Sequence, residues 1–234
     1  MPGSIRLFTN ATLAEAVNIE LEPAQAHQLR AVMRRRAGDP VALWNGRDGE
    51  WEGRVEHLDR DRATVAVVRR TRPQAASPDC WLLFAPIRRD LTELVAQKAT
   101  ELGVSRLWPV LTRRTNPGRP NETRLRAIAT EAAEQSERLD VPTIQPTAPL
   151  ADALARWEPD RTLFVAVERA DASALSAKQG PCALLIGPEG GFDPMELDAL
   201  AQLAFVQAAS LGPRVLRAET AAIAGLARLL AHPA

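Results

Sequence analysis

In residues 1–72 the apolar positions fall in short runs bounded by turn residues. "SIRLFT", "VNIEL", "PVALWNG", "EWEGRVEHL" and "RATVAVVRR" each alternate or cluster over a few positions, and "NGRDG" and "LDRDR" punctuate them. Short apolar runs separated by glycine, asparagine and aspartate predict strands joined by tight turns. One helical stretch, Pro23 to Met33, interrupts them. So many strands in so little chain predict a small barrel or curled sheet.

After the small, polar, proline-bearing segment 73–79, "PQAASPD", the period changes. Continuous apolar runs now alternate with stretches of helical spacing. "CWLLFAP" precedes "DLTELVAQKATELG", and "RLWPVL" precedes a segment from Asn121 to Arg138. "RTLFVAV" follows, then "CALLIG" with a helix starting near Asp193, then "FVQAASLG" with a last helix. Strands apolar on both faces, alternating with helices, predict a mainly parallel sheet covered on both sides. The chain is thus read as α/β, with a small β domain over 1–72, a linker over 73–79 and an α/β domain over 80–234.

Composition narrows the functions. No apolar run approaches the roughly 20 residues of a membrane span, and the first residues lack the charged and apolar regions of a signal peptide. A cytoplasmic protein is expected. Cys80 and Cys182 sit apart in apolar runs, and His27, His57 and His232 are scattered, so no zinc or other metal ligand set is expected. Net charge is zero, yet Lys98 and Lys178 are the only lysines among 29 basic residues. Arginine holds phosphate bidentately and stacks on bases. Genomic base composition also produces arginine-rich chains, so where the arginines cluster matters more than their number.

Two loops carry the chemistry. "LLIGPEGGFDPMEL" ends a buried strand on Gly187, Pro188, Glu189, Gly190 and Gly191 and opens a helix. Asp193 is placed as N-cap, Pro194 at N1 and Glu196 at N3, a capping-box pattern. The spacing fits neither GxGxxG nor GxxxxGK[ST], and Glu189 would repel a phosphate. By itself the loop fits either a tight strand-to-helix turn or a site for a neutral or cationic ligand. A second loop, "SLGPRVLRAETAAIAGLARLLA", again runs from strand through Gly212 and Pro213 into a helix, whose apolar positions are Ile223, Leu226, Leu229 and Leu230. Two such loops at one sheet edge offer backbone donors and apolar walls, which an adenosine-type ligand requires.

These two stretches resemble the signature pair of the SPOUT class of RNA methyltransferases. "VAQKATELGVSRLWPVLTRRTN", "EAAEQSERLDVPTI" and the N-terminal "HQLRAVMRRRAGDPVALWNGRDGEWEGRV" are similar to segments of one family in that class, the ribosomal small-subunit RNA uridine-N3 methyltransferases (RsmE type). The resemblance covers nearly the whole chain. It implies an α/β SPOUT domain closed by a deep trefoil knot, a small PUA-like N-terminal β-barrel that binds RNA, and a two-fold homodimer. It implies S-adenosylmethionine as cofactor and 16S rRNA of the small ribosomal subunit as substrate. Carried over by position, the donor would contact Ile186, Gly187, Pro188, Glu189, Gly190 and Gly191, then Leu211, Gly212, Val215 and Leu216. Val167 and Glu168 would complete the pocket. The chain departs from the family at "APIRRDLTEL", where a lysine and a glycine are common, and at Glu137, where a small residue or glycine is common.

Methylation at N3 of uracil requires loss of an imide proton, so a base or a stabiliser of developing negative charge is needed. Arg217 is the candidate stabiliser, and Glu219 the candidate base or orienting group. The alternative for Glu219 is a helix-start carboxylate favoured by the dipole and paired to a neighbouring arginine. RNA contacts are expected from Arg30, Arg34, Arg35 and Arg36, from Arg69, Arg70 and Arg72, from Arg88 and Arg89, and from Arg113 and Arg114. The rival readings are a SPOUT ribose 2′-O-methyltransferase acting on rRNA or tRNA, and a non-catalytic RNA-binding assembly factor. A nucleotide-phosphate enzyme would need a lysine and metal-binding acids that are not in place.

Overall fold

Strand β5 (Ala63–Arg72) shows the alternation most plainly: Ala63, Val65 and Val67 are buried while Thr64, Ala66 and Val68 are half-buried. In the computed structural model, which describes residues 5–116, 118–167 and 172–231, β5 belongs to a five-stranded sheet. Its other strands are β1 (Arg6–Phe8), β2 (Asn18–Glu20), β3 (Pro40–Trp44) and β4 (Glu50–Leu58), in the order β1-β3-β4-β5-β2. β1 runs parallel to β3, and every other pairing is antiparallel. Register shifts along β4 mark bulges, which bend a small sheet. Leu7, Ile19, Leu29, Leu43, Val55 and Val65 fill the core. All five strands fall where the apolar runs place them. The expected helix divides into α1 (Pro23–His27) and a π-type turn over Gln28–Val32, the latter ending on a Met33 N–H to Gln28 carbonyl bond of 2.9 Å.

One part of this unit lies far away in sequence. The chain divides into two units, residues 1–76 with 133–141, and residues 77–132 with 142–234. The buried Arg6 side chain accounts for the grouping of 133–141 with the first. It donates to the carbonyls of Ala133 (3.0 Å), Glu134 (2.9 Å) and Arg138 (2.6 Å), and its Nε pairs with Glu50 at 2.7 Å. The Phe8 N–H donates to Glu134 Oε1 at 2.7 Å. Trp44, Ala133 and Leu139 form a small apolar cluster there, with Phe8 edge-on to Trp44. The "EQSER" segment is therefore a structural part of the first unit.

The second unit is built on a parallel sheet. Its strands are β6 (Cys80–Phe84), β7 (Arg106–Leu111), β8 (Thr143–Ile144), β10 (Thr162–Ala166), β11 (Cys182–Ile186) and β12 (Val206–Ala209), in the order β12-β10-β11-β6-β7-β8. A further short strand, β9 (Ala148–Pro149), pairs with β7. All five residues of β6 and of β11 are buried, as strands covered on both faces must be. The helices are α2 (Arg89–Leu102), α3 (Glu122–Gln135, whose last residues group with the first unit), α4 (Leu150–Ala155), α5 (Pro194–Ala201) and α6 (Ala218–Leu229). The sequence reading omits β8, β9 and α4, which are too short to show a period. Helix α6 lies close on the sheet because Gly225 has no side chain. A Cβ there would stand 2.6 Å from Leu184 Cδ2. Trp81, Trp108 and Trp157 pack edge-on in the core, with Phe205 stacked on Trp157. Among the described residues no helix is long and apolar enough to cross a membrane.

Candidate functional site

Because every strand of the second sheet runs the same way, their C-terminal ends share one edge. The order β12-β10-β11 sets the loop after β10 between the loops after β11 and β12. Val167, the residue after β10, donates to the Ala209 carbonyl at 3.2 Å, and Ala85, after β6, donates to Ile186 at 2.9 Å. Glu168 lies outside the described residues. Where the chain is described again it runs beside the end of β12: Ser210 accepts from Leu175 at 3.0 Å and donates to Ser173 at 2.9 Å through the main chain.

The loop after β11 is a closed turn. Gly191 donates to the Pro188 carbonyl at 2.9 Å and takes φ +67°, the left-handed region that favours glycine. Gly187 is demanded sterically: a Cβ there would sit 2.9 Å from the ring of Phe192, which is itself buried. Neither the Glu189 nor the Gly190 amide donates to a described residue, so both remain open to a ligand. The end of the loop is sealed as its pattern requires. Asp193 Oδ1 accepts the Met195 N–H at 3.0 Å, and Glu196 Oε2 accepts the Asp193 N–H at 3.1 Å. With Asp193 and Glu196 at its start, α5 offers no anion site.

The loop after β12 ends differently. Gly212 takes φ +124°, and its N–H donates to Ser210 Oγ at 3.2 Å. Val215 is half exposed, and Leu216 is partly buried. Arg217 is the N-cap of α6 but gives no side-chain cap, so the first-turn amides of α6 stay open. Its exposed guanidinium has no hydrogen-bond or ion-pair partner among the described residues. Glu219 lies in the first turn, where the dipole favours a carboxylate. Its Oε2 is buried with no hydrogen-bond partner. The arginine pairing that would make Glu219 merely structural is not formed among the described residues. A buried, unpaired carboxylate oxygen at an open helix end is costly unless a ligand completes it.

Comparison with known proteins places this arrangement. Residues 75–230 match the model of the RNA methyltransferase domain, and residues 21–68 match that of the RNA methyltransferase PUA domain. The ribosomal RNA small subunit methyltransferase E of Rickettsia conorii is 31% identical over 229 residues, covering 96% of this chain and 94% of that protein. The chain belongs to this RNA methyltransferase family. The crystal structure of the Neisseria gonorrhoeae ribosomal RNA small subunit methyltransferase E, bound to S-adenosyl methionine, superposes with a TM-score of 0.89 at 26% identity, covering 96% of this chain and 95% of that one. A Legionella pneumophila methyltransferase, in complex with the cofactor SAM, gives 0.85 at 27% identity, with 96% of each chain covered. The α/β SPOUT-type domain with a PUA-like N-terminal domain is the architecture of this family.

Within that family frame the arginines fall into distinct settings. Arg30, Arg34 and Arg36 are exposed around the π-type turn and have no ion-pair partner among the described residues, and Arg34 takes φ +53°. Arg35 is less exposed, with a buried Nε that finds no partner. Arg69 pairs with Glu52 at 2.8 Å, and Arg72 approaches Glu50 at 3.6 Å. Arg88 pairs with Asp90 and Arg89 with Glu93, both at 2.9 Å. Glu93 also holds Arg124, and the hydrogen bonds from Arg89 and Arg124 keep its carboxyl below the usual range. Arg113 and Arg114 turn toward the loop after β11. The sequence assigns no site role to Phe192 or Ser210. An apolar residue inside "GGFDP" and a serine just before the Leu-Gly-Pro turn were the available signals. Among the described residues no group of three or more His, Cys, Asp and Glu could hold a metal ion.

Proposed function

We propose that this protein transfers a methyl group from S-adenosylmethionine to N3 of a uridine in 16S rRNA of the small ribosomal subunit. The observation that carries the reading is the open start of α6, with a free Arg217 and a buried, unpartnered Glu219 oxygen, following a loop at the same sheet edge as a glycine loop whose amides are also open. Family membership and the SAM-bound relatives give the donor and the class of RNA.

The residues suit the donor. Ile186 and Gly187 to Gly191 supply an apolar strand end and exposed main chain, and Leu211, Gly212, Val215 and Leu216 supply the facing wall. Val167 closes the edge between them, and Glu168 belongs to the same proposal. Glu189 sets a negative charge where a sulfonium is favoured and a phosphate is not. Bound there, S-adenosylmethionine supplies an electrophilic methyl group. Glu219 takes the N3 proton through its unpaired oxygen, or orients the base that does. Arg217 stabilises the charge that develops on the uracil carbonyls. Arg30, Arg34, Arg35 and Arg36 contact RNA phosphates with the first unit, and Arg88 and Arg89 with the second. Knotting of the loops after β11 and β12, and a homodimer, belong to this same proposal.

The test is methyl transfer from labelled S-adenosylmethionine to small subunits that lack the modification, followed by mapping of the labelled nucleoside. The expected product is N3-methyluridine at one position, abolished by Arg217→Ala and strongly reduced by Glu219→Gln. Label on a ribose would sink the N3 chemistry. Absence of donor binding would sink the enzyme.

A further inference from the structure

The turn after β7 fastens the C-terminal half of the glycine loop and the start of α5. It runs from Thr112 to Thr115, closed by the Thr115 N–H to Thr112 carbonyl bond of 3.1 Å and the Thr112 N–H to Thr115 Oγ1 bond of 2.9 Å. Arg114 Nη1 donates to the Gly190 carbonyl at 3.0 Å. Its stem runs alongside, with Cδ 3.9 Å from where a Gly190 Cβ would stand. The Arg113 N–H donates to Glu196 Oε1 at 2.8 Å. The Arg113 and Arg114 guanidinium groups lie 3.6 and 3.8 Å from the two oxygens of Asp193.

Gly190 and Gly191 place few steric limits on the chain, so ordering this loop costs more conformational entropy than ordering any other pair of residues. The Gly191 to Pro188 bond closes the turn but fixes only one end of the Gly190–Gly191 peptide. A donor on the Gly190 carbonyl fixes the other end. The plane of that peptide, and with it the direction of the neighbouring open amides of Glu189 and Gly190, is then set before a ligand arrives. Preorganisation of this kind appears as ligand affinity.

We propose that Arg114 is a positioning residue for the methyl-donor loop, acting through the Gly190 carbonyl, with the Arg113 main chain fastening the capped start of α5. The inference rests on the methyltransferase reading above, and it gives Arg114 a role other than RNA contact. Titration of the full chain with S-adenosylmethionine by calorimetry, and with 16S rRNA by filter binding, tests it. Arg114→Ala is expected to weaken donor binding about five- to tenfold, the worth of one charge-assisted hydrogen bond at a half-exposed site. RNA affinity and melting temperature are expected to stay at the wild-type values. In turnover the donor KM rises more than kcat falls. Arg114→Lys, which keeps one donor group in reach of the carbonyl, is expected to recover part of the affinity. Unchanged donor affinity in Arg114→Ala overturns the inference, most directly if RNA affinity and its salt dependence fall instead. If Arg114→Ala also melts early, a stable Arg114→Lys that recovers no donor affinity overturns it equally. A wild-type chain that binds no donor removes the methyltransferase reading itself, an outcome distinct from the other two.

Discussion

Arg161 is almost fully buried and donates to Asp79 Oδ2 at 2.7 Å across 82 residues of sequence. The same guanidinium reaches Glu158 Oε2 at 2.8 Å and the main-chain carbonyls of Asp79 and Cys182 at 3.1 and 3.2 Å. It also lies 3.6 Å from the centre of the Trp81 ring, with Arg106 against the same ring at 3.7 Å. One cation thus ties the starts of β6, β10 and β11 together, at the sheet end opposite the loops of the site. Burial pulls the Arg161 pKa down, but its hydrogen bonds to Asp79 and Glu158 outweigh it and the net direction is up. Asp79 is held below the usual carboxylate range, chiefly by the Arg161 hydrogen bond. A carboxylate with a depressed folded-state pKa contributes stability above its unfolded value, about pH 3.9, and loses it as pH falls through the folded value. Because the Asp79 side chain is half exposed and solvent screens the pair, Asp79→Asn is expected to cost about 1 kcal/mol or less at pH 7, with Glu158 still in place. Urea melts of both proteins at pH 7 and pH 3 check this: the gap should narrow in acid, and a constant gap would sink the assignment.

Glu137 sits at φ +57°, in the region where an L side chain crowds its own carbonyl. The family resemblance puts a small residue or glycine at this position, and the backbone gives the reason. The Glu137 carbonyl accepts from Arg72 Nη1 at 3.0 Å through the main chain, a bond that any residue keeps. Glu137→Gly is expected to stabilise the chain by about 0.5–1 kcal/mol, the relief at positive φ less the extra entropy of glycine in the unfolded chain. Thermal melting should shift upward by about 1–4 °C. A fall would mean that the Glu137 side chain contributes more than its backbone costs.

Cys80 and Cys182 face each other in register on β6 and β11, both buried and both free thiols. The hydrogen bond to Cys182 and burial push the Cys80 thiol well up. The same hydrogen bond pulls the Cys182 thiol down, so burial rather than acidity is what should keep both residues from Ellman's reagent in the native protein, and both should react in denaturant. Fast labelling without denaturant would show that this part of the sheet opens locally.

The pattern of apolar runs places ten strands, β1 to β7 and β10 to β12, and separates the first sheet from the second, because most of those strands either alternate or are buried on both faces. It could not place β8 and β9, whose few residues carry no period, nor assign residues 133–141 to the first unit. That grouping depends on Arg6, an arginine that in sequence looks like any other at a strand end. The capping box at Asp193 was legible because it is local, three residues read in order. The settings of Arg113 and Arg114 were not, since the contacts to Gly190 and Asp193 cross about eighty residues of chain. Arg114, expected from its cluster to contact RNA, touches the glycine loop, and its neighbour Arg113 touches the start of α5.

Gly187 offers the sharpest test of that loop. Its neighbour Phe192 is buried, and its ring would meet a Gly187 Cβ at 2.9 Å, closer than carbon atoms tolerate. Phe192 also packs in the core cluster with Trp108, Leu185 and Leu200, so its ring has little room to retreat. In Gly187→Ala the main chain must give instead, and it gives where the donor is proposed to bind. Overpacking of this kind costs about 1–3 kcal/mol of stability. The expected result is a moderate loss of melting temperature together with a donor affinity lowered more than tenfold, because the Glu189 and Gly190 amides move with the loop. Gly187→Ala combined with Phe192→Leu removes part of the ring and should restore stability and donor affinity together. If the double variant regains stability but not donor affinity, contact between the donor and Phe192 itself, and not the path of the main chain, sets the site.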